Sequence, residues 1–175
     1  MRLTLLAGDL TEQATDVIVN AADPELLGGG GVDGAIHAAA GPGLLEECRA
    51  LRSTTYPDGL APGQAVATFG YRLPAPWVIH TVGPNRHRGQ TEPVKLASCF
   101  TESLRIAAGL GAGSVAFPAI GAGAFGWEVE EVARIAVNAV RSVRSFVSPP
   151  VAEVRFVTYG DRATAAFEAA LHTSP

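Results

Sequence analysis

Lysine is nearly absent from this chain: Lys95 stands alone against twelve arginines. Leu96 follows it, so a G-x-x-x-x-G-K-[ST] nucleotide loop cannot exist, and kinase-like or ATPase-like chemistry loses its principal phosphate ligand. Cysteine is equally scarce. Cys48 and Cys99 have neither the density nor the spacing of a disulfide framework or a zinc site, so buried, reduced thiols and no metal are expected. No apolar run approaches the ~18 residues of a membrane span. Met1–Leu5 also lacks the apolar stretch of a signal peptide, so a cytoplasmic protein with no membrane association is expected. The formal charge is −4, without clustered Lys and Arg. A surface tracking a nucleic-acid backbone is therefore not expected, and any anionic ligand must be held locally.

The 175 residues are 47% hydrophobic, enough for one sizeable core, and a single domain spanning 1–175 is expected. Short β-branched or aromatic runs bounded by Gly, Pro or Asp read as strands at Arg2–Ala7, Asp16–Asn20, Ala65–Tyr71, Trp77–Val82, Ser114–Pro118 and Glu153–Tyr159. Helical spacing marks Asp33–Ala40, Gly43–Arg52, Pro93–Gly109, Val129–Phe146 and Arg162–His172. Glu130 and Arg134, four apart on the solvated face of the fourth helix, read as a surface pair. Alternating strands and helices imply an α/β class, a three-layer α/β/α sandwich with a mixed, mostly parallel sheet. Only five residues, Arg72–Pro76, separate Ala65–Tyr71 from Trp77–Val82, too few for a parallel crossover, so those two strands should form an antiparallel hairpin. Pro84–Thr91 and Ser148-Pro149-Pro150 read as surface loops.

Two glycine loops stand out. Gly28-Gly29-Gly30-Gly31 runs through Val32 and Asp33 into a helix, and Gly121-Ala122-Gly123-Ala124-Phe125-Gly126 lies between a strand and a helix. Bare backbone amides beside an unsatisfied helix N-terminus suit a phosphate. Both loops fit G-x-G-x-x-G by letter, yet neither is followed about 20 residues later by the acidic residue that binds a ribose in dinucleotide folds. A nicotinamide oxidoreductase is thus a remote alternative, and no cofactor is expected. Two such loops at parallel strand ends suit one diphosphate gripped from both sides.

The order Gly8-Asp9-Leu10-Thr11, Val17-Ile18-Val19-Asn20-Ala21-Ala22-Asp23, the four-glycine loop, Ile79-His80-Thr81-Val82-Gly83-Pro84 and Ala116-Phe117-Pro118-Ala119-Ile120 resembles a macrodomain of the MacroD-like class. The resemblance runs through Tyr159, nearly the whole chain. It implies an α/β/α sandwich that binds ADP-ribose or an ADP-ribosylated protein. It further implies hydrolysis of ADP-ribosyl esters on glutamate or aspartate, and of O-acetyl-ADP-ribose. By the same resemblance Asp9 and the Leu10 amide meet adenine, and Tyr159 stacks on it.

Further assignments join the chemistry of the residues to that resemblance. The amides of Gly30, Gly31 and Val32, and those of Gly121, Ala122, Gly123 and Ala124, would cradle phosphate, with Phe125 as an apolar wall on the terminal ribose. Similar proteins carry Ser-Thr where this chain has Gly121-Ala122, so backbone donors must serve alone there. Asp33, expected at the helix start, is the candidate to position or deprotonate an attacking water, and His37 lies four residues on as a possible partner. Asn20 can hold ribose or the loop through its amide. Asp23 departs from the asparagine of similar hydrolases: it only accepts hydrogen bonds, and its charge would raise the pKa of a neighbouring carboxylate. His80 and His37, in apolar elements, read as hydrogen-bonded structural histidines. With no G-x-S-x-G and no Cys–His pair, direct water attack is the expected chemistry, and a binding-only module is the competing reading.

Overall fold

A computed structural model describes residues 1–149 and 151–173. Its strands are β1 (Arg2–Ala7), β2 (Val17–Ala21), β3 (Ala65–Phe69), β4 (Trp77–Thr81), β5 (Ser114–Phe117) and β6 (Glu153–Thr158). They form one sheet in the order β1-β6-β5-β2-β4-β3. Every pairing is parallel except β3 with β4, the expected hairpin. The helices are α1 (Gly31–Ala40), α2 (Pro42–Ser53), α3 (Pro93–Gly109), α4 (Val129–Ser142) and α5 (Asp161–His172).

Side-chain alternation along the strands assigns the helices to the two faces. Val17, Val19, Val115, Phe117, Val154 and Phe156 pack with α3, α4 and α5, whereas Ile18, Val78 and Ala116 pack with Ile36, Leu44 and Cys48 of α1 and α2. The result is a three-layer sandwich, as the sequence implies. Asn20 and His80 share parity with Ile18 and Val78, so they point toward α1. That parity brings polar side chains into an otherwise apolar layer. On the other face, Phe100, Phe117, Phe156 and Phe167 form a file with successive ring centroids 5.1, 6.3 and 5.0 Å apart, tying α3 to α5 through β5 and β6.

Several boundaries differ from expectation, each for a local reason. Helix α1 starts at Gly31, two residues before Asp33, because Gly31 takes φ +59 and lets the chain turn into the helix early. The fourth helix stops at Ser142 and tightens into a 3-10 turn over Val143–Ser145, a common way to satisfy final carbonyls. β3 ends at Phe69, and Tyr71 adopts φ +53 beyond it. Glu130 does not pair with Arg134. Its carboxylate meets Arg162 at 2.9 Å across the α4–α5 seam, where Arg162 also reaches Glu128. Cys48 and Cys99 are buried and unbridged. Ser148 and Pro149 lie exposed in a connection, and Pro150 falls outside the described residues. Among the described residues no helix is long and apolar enough to cross a membrane.

Phe117 is fully buried on a middle strand and touches rings on both sides. Phe117→Ala is expected to cost roughly 3–5 kcal/mol. Urea denaturation checks this: the midpoint should fall with little change in slope.

Candidate functional site

The parallel strands all end on one edge of the sheet, and the residues singled out above lie along it. Asp9 and Leu10 follow β1, Tyr159 follows β6, Gly121–Gly126 follows β5, and Asp23 with the four-glycine loop follows β2. β1 and β2 are three strand spacings apart, about 14 Å at the usual interstrand distance. That row is long enough for an extended ligand.

At the β1 end, Asp9 caps a 3-10 turn, its Oδ1 accepting from the Thr11 amide at 2.8 Å and the Thr11 hydroxyl at 2.7 Å. Both bonds fall on one oxygen. The Leu10 amide donates to no acceptor among the described residues. Tyr159 lies one residue beyond β6 and is 95% exposed, a bare ring on the rim.

The four-glycine loop presents its backbone. Among the described residues the amides of Gly28, Gly29, Gly30, Gly31 and Val32 find no acceptor, and no side chain caps α1. Unsatisfied donors at a helix N-terminus, with its partial positive charge, form an anion cradle. Gly34 lets the helix approach the loop: a β-carbon there would lie 2.5 Å from the Gly29 carbonyl oxygen. In the second loop the amides of Ala124 and Phe125 are likewise free among the described residues, while the Trp127 amide closes the loop onto the Gly121 carbonyl at 3.2 Å; the Ala122 amide, expected to face a phosphate, instead donates to the Ala119 carbonyl at 3.2 Å and closes the turn.

The second loop is held from outside by residues that the sequence does not single out. The Arg86 amide donates to the Phe125 carbonyl at 2.9 Å, the Trp127 indole donates to the Pro84 carbonyl at 2.8 Å, and the Arg86 guanidinium lies 3.8 Å over the indole. Glu131 fixes the same guanidinium at 2.8 Å. Neither spacing nor residue type signals this clamp, because its parts come from separate connections. It leaves Phe125 half-buried, not fully exposed, facing Gly83.

Asp33 sits in the first turn of α1 but caps nothing. Its side chain turns inward, 4% exposed, where Oδ1 accepts from the Asn20 amide at 2.8 Å and lies 3.4 Å from His37 Nε2. Oδ2 is buried with no hydrogen-bond partner among the described residues, as are Asn20 Oδ1 and His37 Nε2. Asn20 is itself fully buried, so it grips the helix turn and does not face the open cleft. The Asn20 amide also lies 3.1 Å from His80 Nδ1, while His80 Nε2 lies 2.9 Å from the Thr68 hydroxyl. His80 is thus a hydrogen-bonded buried histidine, as expected, and burial, reinforced by His37, holds its pKa down to about 3.

Asp23 and Asp33 converge over Gly29. A β-carbon at Gly29 would stand 2.7 Å from Asp23 Oδ2 and 3.3 Å from Asp33 Oδ2. Burial raises the Asp33 pKa above its ordinary 3.8; the Asn20 hydrogen bond and His37 pull it down, and the Asp23 charge adds to the rise. Next to Asp23 lies a cavity of about 170 Å³ that also touches Val82, Gly83, Arg88, Gln90 and Phe125. Cys48 packs close enough for Asp33 to act on it. Burial first, and that charge second, push its thiol to about 12, so it is no nucleophile.

The raised Asp33 pKa carries a stability consequence. The folded chain binds this proton more tightly than the unfolded chain, so stability falls as pH rises from the ordinary carboxyl range through the raised value. Asp33→Asn keeps an acceptor for Asn20 and removes the buried charge. It should stabilise the protein above neutral pH by about 1 kcal/mol, or roughly 2–4 °C in Tm. The advantage should vanish below about pH 4, where the wild-type carboxyl is neutral. Thermal unfolding of both proteins across pH checks this.

Comparison with known proteins bears on the family and the fold. The family model for the Macro domain matches residues 19–136. The chain is 54% identical over 167 residues to a macro domain-containing protein of Streptomyces griseus, covering 95% of this chain and 93% of that one. It is 45% identical over 174 residues to a Klebsiella pneumoniae protein named O-acetyl-ADP-ribose deacetylase, covering 98% and 97%. The Trypanosoma brucei macrodomain, solved in complex with ADP-ribose, superposes with a TM-score of 0.86 at 34% identity, covering 97% of this chain and 68% of that one. By family match, sequence identity and fold together, the chain belongs to the macrodomain family.

Proposed function

We propose that this macrodomain binds ADP-ribose along the strand-end cleft and hydrolyses ADP-ribosyl esters, either on acidic protein side chains or as O-acyl-ADP-ribose. The observation carrying this reading is the juxtaposition of a run of free loop amides with a buried carboxylate, Asp33, whose Oδ2 is unpartnered. The names of the Klebsiella deacetylase and of the ADP-ribose-bound Trypanosoma macrodomain support it.

In this reading adenine lies at the β1 end, stacked by Tyr159 and met by Asp9 and the Leu10 amide. The diphosphate lies between the amides of Gly30, Gly31 and Val32 on one side and those of Gly121, Gly123 and Ala124 on the other, the Ala122 amide being bonded to the Ala119 carbonyl. The terminal ribose sits against Phe125 near Asp23 and Asp33. Each free amide donated to an anionic oxygen forms a charge-assisted bond, stronger than a neutral one. That compensates for the missing hydroxyls at Gly121 and Ala122. Water then attacks at the ester linkage on the ribose. One C–O bond forms, one breaks, and a ribose hydroxyl and a free carboxyl group are released. Asp33 accepts the water's hydrogen bond through Oδ2, and its burial-raised pKa makes it a stronger base than an exposed carboxylate. No metal or cofactor takes part in this scheme.

One observation favours a binding-only module: Asp23 places a second carboxylate against Asp33 at Gly29, where its charge opposes ionisation of the base and cannot donate to ribose. Two experiments decide. Calorimetric titration with ADP-ribose should give saturable heat; none at millimolar ligand overturns both readings. With protein mono-ADP-ribosylated on glutamate, wild type should release label and Asp33→Ala should lose about 100-fold. Wild-type rates in Asp33→Ala overturn its assignment. Release by Asp23→Asn alone, with none by wild type, establishes the binding-only module.

A further inference from the structure

Thr68 on β3, His80 on β4 and Asn20 on β2 form a buried file across three neighbouring strands that ends on Asp33, each at most 1% exposed. The hydrogen positions along it follow from donor and acceptor chemistry. The Asn20 NH₂ must face Asp33 Oδ1, since the reversed amide would set two acceptor oxygens 2.8 Å apart. Its second hydrogen then points at His80 Nδ1, 3.1 Å away, which must hold a lone pair. The imidazole proton is left on Nε2 and goes to Thr68 Oγ1 at 2.9 Å, and the Thr68 hydroxyl passes its own hydrogen to the Phe69 carbonyl at 3.2 Å. Every donor in the file meets an acceptor in one direction, and no second assignment does so.

The file decides which oxygen of Asp33 is available. Oδ1 is committed to Asn20, so Oδ2 is the oxygen left without a hydrogen-bond partner among the described residues, beside Gly29 and Asp23. We infer that His80 and Thr68 are positioning residues for the Asp33 carboxylate, acting through Asn20 to hold Oδ2 toward the attacking water, an inference that rests on the hydrolase reading above. His80 moves no proton. It stays neutral and serves as an acceptor that pins the Asn20 amide. Removing that acceptor leaves a buried N–H unpaired and frees the amide to turn away from Asp33.

The wild-type protein gives a direct test by imidazole ¹⁵N shifts. A neutral Nε2–H tautomer is expected for His80 throughout about pH 5 to pH 8, where an ordinary histidine titrates. An Nδ1–H tautomer or protonation in that range overturns the inference without any variant being made. Two variants test the consequence. His80→Leu removes the acceptor, whereas the carbonyl of His80→Asn can stand in for Nδ1. In His80→Leu the Asp33 ¹³Cγ titration midpoint should move upward as the Asn20 hydrogen bond weakens. Its kcat on glutamate-linked ADP-ribose should fall about tenfold or more through misplacement of the carboxylate. KM and ADP-ribose affinity should stay near wild type, and His80→Asn should recover both the midpoint and kcat. A folded His80→Leu with an unmoved midpoint overturns the inference. If wild type turns over no substrate, the hydrolase reading fails by itself, and the tautomer and midpoint still decide whether His80 positions Asp33.

Discussion

The hydrogen bond from the Asn20 amide to the Asp33 carboxylate is the constraint on which the cleft depends. It joins a central strand to the first turn of α1 at 2.8 Å, out of reach of solvent. An ionised carboxylate placed there without a donor would carry a desolvation cost of several kcal/mol. The bond therefore holds α1 in one rotation, with its N-terminus toward the glycine loop. Because the helix turn is anchored from below, the loop above it needs no side chains of its own to stay in place. Its amides remain free for a ligand.

The two glycine loops are held in different ways. The first is fixed by close approach: Gly34 lets α1 press against the Gly29 carbonyl, and Gly31 bends the chain into the helix. The second is fixed by a clamp, with Arg86 against Trp127 and Glu131, and hydrogen bonds from Arg86 and Trp127 joining the two connections. A cation held over an indole and paired with a carboxylate in a partly buried setting resists displacement better than an exposed ion pair does. Both devices achieve the same end. The chain reversals keep their shape while their N–H groups point outward, and the ordering cost is met in folding, before any ligand arrives.

The layers, the strand directions and both loops were legible in the sequence because each is a local signal. Runs such as Val17-Ile18-Val19 are β-branched and bounded, the hairpin connection is too short for a crossover, and four adjacent glycines have few explanations besides close approach. What escaped was non-local. The contact of Asn20 with His80 requires knowing that β2 lies beside β4 in a register pairing those two residues, which are 60 positions apart. The Arg86 clamp and the Glu130–Arg162 pair fail for the same reason: surface charges choose partners by proximity in the fold, so spacing along one helix gave Arg134 in error. Asp33 fell between these cases. Its position beside the loop was readable, but the helix start at Gly31 and the inward turn of its side chain depend on the donor waiting at Asn20.

Asp23 gains its meaning from the same anchor. Were Asp33 free to swing, like-charge repulsion would push its carboxylate away from Asp23, and the two would relax apart into solvent. Asn20 prevents this by holding Oδ1, so the repulsion adds to the rise in pKa that burial already imposes on a group that cannot leave. The N-terminus of α1 offsets part of the cost through its partial positive charge. A departure that would weaken a loosely held site therefore acts here on basicity, while the geometry of the cleft is preserved.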